Sequence, residues 1–118
     1  MKEEIIEFGD VIVIYYIGTN AKDNFDVIDK GEPTDFWFHA KDCSSCHVVA
    51  KIPDKIEIGK KLLRIIIKKG AMLCKQHTNK LTSQSDVEII YTHVKNIQKT
   101  EIAGCVNVQC IKIKTIIC

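Results

Sequence analysis

Asp35-Phe36-Trp37-Phe38-His39-Ala40, followed after a short loop by His47-Val48-Val49-Ala50-Lys51, decides how this chain folds. Side chains alternate across an extended strand, so Phe36, Phe38 and Ala40 form one apolar face while Asp35, Trp37 and His39 share the other. The second run reads as the return strand, with His47, Val49 and Lys51 on one face and Val48 and Ala50 on the opposite one. The connecting loop, Lys41 to Cys46, brings both histidines near one turn. A buried acid and imidazole need partners, whereas an exposed trio makes a polar surface site. The expectation is that Asp35, Trp37 and His39 face outward.

Working outward, Asp10 to Ile17 is β-branched and aromatic and reads as a buried strand ended by Gly18-Thr19-Asn20. Asn20 then caps a helix over residues 21–30, with Ala21, Phe25 and Ile28 on its apolar side and Gly31 and Pro33 as the stop. A second helix runs from about Gly59 to the low seventies. It turns Leu62, Leu63, Ile66 and Ile67 inward and Lys60, Lys61, Arg64, Lys68 and Lys69 outward, which makes its outer face basic. Gly70 weakens the pattern near its end, and Lys75 to Ser85 is polar and loop-like. Val87, Ile89 and Tyr91 alternate with Glu88, Ile90 and Thr92, and Val106 to Ile113 is another β-rich run. Helices and strands mix without regular alternation. The predicted fold is α+β, a mainly antiparallel sheet packed against two helices, with residues 1–118 as a single domain.

Composition narrows the function. The 118 residues are 46% hydrophobic and 27% charged, which excludes disordered and collagen-like classes. The apolar runs fall short of the 18 or more residues of a membrane span. Met1-Lys2-Glu3-Glu4 does not open a signal peptide, so a cytoplasmic location is expected. A net charge of +2 exerts no strong overall pull on nucleic acid, so any binding needs a local patch. Arg64 is the one arginine among 17 basic residues, which favours lysine contact with phosphate over bidentate reading of bases.

The six cysteines are expected to be reduced and to act mainly as small buried hydrophobes. Cys43-Ser44-Ser45-Cys46-His47 matches the c-type haem attachment pattern, but that chemistry belongs outside the reducing cytoplasm. Cys43 and Cys46 with Cys74 and His77 offer four ligands at spacings that suit tetrahedral zinc, or a redox module. A third constellation, Asp35, His39 and His47 with Trp37, suggests a phosphodiester-acting enzyme in which Asp35 orients an imidazole base. Ser45 lies between the histidines, and no matched nucleophile is evident.

Three blocks in order then become familiar: Asp35 to Asp42, Ser45-x-His47-Val48-Val49, and Asp86 to Lys99. Together they resemble the NFACT-R domain, also called DUF814, in its standalone form. That family ends the ribosome quality control proteins of the Rqc2, NEMF and RqcH type, and it occurs nearly alone in an animal coiled-coil domain protein. The resemblance implies RNA binding tied to translation or ribosome quality control; no cofactor is expected, with zinc as the alternative, and binding is expected over catalysis, which the residues alone leave open. The implied partners are RNA (tRNA or rRNA) or DNA, and the ribosome. The family's acid, indole and imidazole map onto Asp35, Trp37 and His39, its second histidine onto His47, and its Tyr-Thr block onto Tyr91, Thr92, Lys95 and Lys99. In that picture Trp37 stacks or packs at the edge of a polar face, and His39 and His47, flanking Ser45, donate to phosphate or ribose. Lys41, Lys51, Lys95 and Lys99 neutralise phosphates. These 118 residues contain no counterpart of the large N-terminal half, the helix-hairpin-helix part or the coiled coil of the quality control proteins, so tRNA recruitment and tail synthesis are not expected from them.

Overall fold

A computed structural model describes residues 1–53, 57–109 and 112–118. Two strands, β1 (Lys2–Phe8) and β2 (Val11–Gly18), form a hairpin whose turn includes Gly9 at φ +65°. Helix α1 (Ala21–Lys30) follows, then β3 (Phe36–Ala40), β4 (His47–Lys51) and the long helix α2 (Lys60–Gln76). The chain finishes with β5 (Glu88–His93), the short pair β6 (Ile97–Lys99) and β7 (Val106–Val108), and β8 (Lys114–Ile117). Six strands make one antiparallel sheet in the order β1-β2-β4-β3-β5-β8, and β6 and β7 make a separate ribbon. The fold is α+β, as expected.

Each helix covers one face of the sheet. Val13, Tyr15, Ile17, Phe38, Ala40, Val48, Ala50 and Ile89 point toward α2, which supplies Ile66, Ala71 and Leu73 to the larger core. Tyr15 Oη donates to the Ile66 carbonyl at 2.8 Å, a buried bond that pins α2 to the sheet. Gly70 does not end the helix: a Cβ there would lie 2.4 Å from the ring of Phe38, so glycine lets α2 lie flat against that ring. On the other face, α1 and the β6–β7 ribbon form a second layer. Val27, Ile28, Val94 and Ile97 close there over Trp37 and Val49.

That second layer overturns the outward placement of the polar trio. The period-two alternation holds, since Asp35, Trp37 and His39 do lie opposite Phe36, Phe38 and Ala40. Yet Asp35 and Trp37 are each only 1% exposed, and His39 alone of the three stays partly open. Alternation shows which residues share a face. It does not show whether another layer covers that face.

Strand β1 carries no strand signal in its own sequence. Its mixture of lysine, glutamate and isoleucine has no apolar run, and pairing with β2 is what makes it extended. The Val106 to Ile113 run divides, with β7 ending at Val108 and β8 beginning at Lys114; its residues 110 and 111 lie outside the described residues. Lys75 to Ser85 holds the last residues of α2 and a 3-10 turn over Asn79–Leu81. The cap of α1 forms as expected, with Asn20 Oδ1 accepting from the Asp23 amide at 2.9 Å.

Candidate nucleic-acid interface

At one end of the sheet a polar groove of about 600 Å³ opens between the start of α1, the β3–β4 loop, the C-terminal end of α2 and the turn after β6. Its walls carry Asn24, His39, Ser44, His77, Asn79 and Lys80 among others, and among the described residues no aspartate or glutamate. Gly104, at φ +80°, lets the last of these segments close on α1, because a Cβ there would lie 3.0 Å from Ala21 Cα.

A stack of rings holds His39 at this groove. The Trp37 indole lies parallel to the His39 ring, 5.6 Å between centroids at 5°, and His47 meets both edge-on. Trp37 Nε1 donates to His47 Nδ1 at 3.2 Å. An indole can only donate, so the neutral His47 carries its proton on Nε2. His39 Nδ1 lies 2.7 Å from the Ala40 carbonyl and must therefore be the protonated nitrogen. The neutral His39 ring thus keeps Nε2 as an acceptor.

Both histidines are held neutral. Burial, then the neighbouring His39, push His47 down to about 3. Burial also lowers His39, with Lys80 adding to the effect and the Ala40 carbonyl opposing it. A protonated imidazole is thus disfavoured near neutrality, and the free Nε2 of His39 is able to accept a hydrogen bond rather than donate one.

A folded-state pKa below the unfolded value of 6.5 means that the unfolded chain binds the extra proton first. Stability is then full above about 6.5 and falls as pH drops toward 3. From pH 7 to pH 5 the loss from His47 is expected to be about 2 kcal/mol, read by urea unfolding. His47→Gln, which can still accept from Trp37, should lose that part of the slope.

Asp35 does other work. Its carboxylate accepts from the amides of Glu32 at 2.7 Å and Ile52 at 2.9 Å, with Lys51 Nζ at 4.0 Å. Both oxygens are spent on backbone, so Asp35 orients neither imidazole, and the catalytic arrangement suggested by the sequence is not assembled. Ser45 lines the groove, but its hydroxyl accepts from the Ala40 amide and donates to the Cys46 carbonyl, which fixes the loop. Thr92 is buried against Asn96 and the Lys112 carbonyl.

The remaining expected contacts are scattered. Lys41 pairs with Glu88, Lys51 donates to the Lys30 carbonyl, and Lys99 pairs with Asp29. Tyr91 and Lys95 line clefts away from the polar groove. The structure therefore brings His39, Ser45 and His47 together and leaves the lysines elsewhere. Asn24, Asn79 and Lys80 reach the groove from distant segments, and no local spacing announces them. The thiols of Cys46 and Cys74 each approach the other's carbonyl, at 3.2 and 3.4 Å. Among the described residues no three His, Cys, Asp or Glu side chains are grouped to hold a metal.

A family model described as NFACT protein RNA binding domain matches residues 6–109. A coiled-coil domain-containing protein 25 homolog from Dictyostelium discoideum is 34% identical over 87 residues, covering 74% of this chain and 42% of the relative. The zebrafish (Danio rerio) coiled-coil domain-containing protein 25 is 31% identical over 85 residues, covering 72% and 41%. The chain thus spans about two-fifths of the length of these relatives. The C-terminal part of a fibronectin/fibrinogen-binding protein from Streptococcus suis shares the fold, with a TM-score of 0.73 at 23% identity, over 98% of this chain and 43% of that one.

Proposed function

The chain belongs to the NFACT RNA-binding domain family, and from that premise we propose that it binds structured RNA, tRNA or rRNA, through the ribose-phosphate backbone, in translation or ribosome quality control. The observation that carries this reading is the presentation of His39. With Nδ1 tied to the Ala40 carbonyl and the ring neutral, Nε2 is an acceptor on a residue that lines an acid-free groove. A ribose 2′-hydroxyl donates to such a nitrogen, and DNA lacks that hydroxyl. Lys80 on the same wall supplies the charge for an adjacent phosphate, and Asn24 and Asn79 add neutral polar groups.

Fluorescence anisotropy with labelled tRNA tests the reading. Wild type should bind at low salt and lose affinity steeply as salt rises, because released counterions drive the association. His39→Ala should weaken binding about two- to tenfold, the worth of one hydrogen bond, with an unchanged salt slope. Lys80→Gln should instead reduce the slope. Absence of binding at low salt would overturn the proposal.

A further inference from the structure

Helix α2 carries six of the chain's 17 basic residues and none of its 15 acidic ones. It does not stand alone, because a second cleft runs between α2 and strands β5 and β8, on the opposite face of the sheet from His39. Lys60 and Arg64 line it from the helix, and Lys112 and Lys114 from the far side. Among the described residues no acidic side chain lines it, and none of these four cations is ion-paired.

The floor is apolar, built from Leu63, Ile67 and Ile116. Half-buried Tyr91 sits between floor and rim, braced edge-on by Phe36 at 6.1 Å and stacked on Phe38 at 6.0 Å, with Lys114 directly across from it on β8. A duplex presents phosphates but hides its bases, so it would leave this floor and ring unused. An unpaired strand uses everything present: bases lie on the aromatic ring and apolar floor while phosphates follow the cations.

We propose that the α2–β5–β8 cleft holds an unpaired segment, a loop or an end, of the RNA whose structured part reaches the His39 groove. The proposal rests on the RNA-binding reading above and adds a second surface, on the other side of the sheet, with a different preference.

The test compares a fluorescein-labelled 12-nucleotide single-stranded RNA with a blunt hairpin RNA whose strands are joined by a polyethylene-glycol linker, so that it has no unpaired nucleotide, on the full chain. Wild type should bind both. Tyr91→Leu, which keeps apolar bulk, should weaken the single strand at least fivefold and leave the hairpin within twofold, and Tyr91→Phe should restore the loss. Lys112→Gln with Lys114→Gln, both at exposed positions that do not endanger folding, should weaken the single strand about tenfold and lower its salt slope by about 1.4. His39→Ala should show the reverse selectivity, weakening the hairpin more.

If the Tyr91 and double lysine variants bind single strands like wild type while His39→Ala still weakens hairpin binding, the cleft is not an RNA site and only this inference falls. If wild type binds neither RNA at low salt, the underlying reading falls with it. Displacement of the single strand by an equal charge of polyglutamate would also overturn the inference, because the cleft would then be reading charge alone.

Discussion

Replacing Trp37 with alanine is expected to cost about 3–5 kcal/mol of folding stability, the range for removing a fully buried large aromatic. The indole is 1% exposed beneath α1 and the β6–β7 ribbon, packed on Val27, Ile28, Val49, Val94 and Ile97. Its loss empties the centre of the second core and leaves His47 Nδ1 buried without its donor. Urea unfolding reads the change. Trp37→Phe keeps most of the volume but removes the N–H, and should cost less, about 1–3 kcal/mol. An indole used as an outward stacking platform would be told apart by stability, which its removal would leave unchanged while affinity fell. The parallel stack of Trp37 on His39 adds a second consequence. Folded Trp37→Ala molecules should bind RNA more weakly than wild type, because the ring that fixes His39 is gone.

Asp35→Ala is expected to cost about 2–5 kcal/mol, since it removes the charge-assisted bonds that the buried carboxylate accepts from the part-buried amides of Glu32 and Ile52, and with them the partner of Lys51. Asp35→Asn is the sharper test. A carboxylate accepts at both oxygens, but an amide offers one oxygen and one NH2 group, so one of the two backbone N–H groups must face another donor. The asparagine variant should therefore lose most of what alanine loses. Its RNA affinity at a temperature where it is folded should match wild type. Thermal unfolding beside anisotropy separates the two quantities, and a loss of affinity without a loss of stability would show that Asp35 touches the ligand.

Much of the fold could be read from short-range signals. Asn20 and Gly31 bracket α1 because capping chemistry is local, and the alternation from Phe36 to Ala40 assigned both faces of β3. What escaped depends on residues far apart in sequence. Trp37 is sealed by side chains from α1, the turn at Val94 and the β6–β7 ribbon, which converge only after the sheet has formed. The same is true of the groove, where Asn24 and Lys80 meet His39 from separate elements. One clue was present: Ile97, Val106 and Val108 form an apolar cluster too short to fold alone and must cover something.

The histidines show the same division between type and state. The sequence marks His39 and His47 as groups able to donate or accept. Burial and the fixed Nδ1 contacts choose neutral rings, and for His39 a free acceptor nitrogen on a part-buried ring that lines the groove. No reading of residue types yields that choice, because it depends on which nitrogen already has a partner.

The most direct measurement of the central claim is a paired titration of one uracil-containing hairpin made once as RNA and once with 2′-deoxyribose throughout, against wild type and His39→Ala. Wild type is expected to hold the RNA form about two- to tenfold more tightly, and His39→Ala to bind the two forms nearly equally. Equal affinity of wild type for both forms, or a ribose preference that survives the loss of His39, would contradict the account.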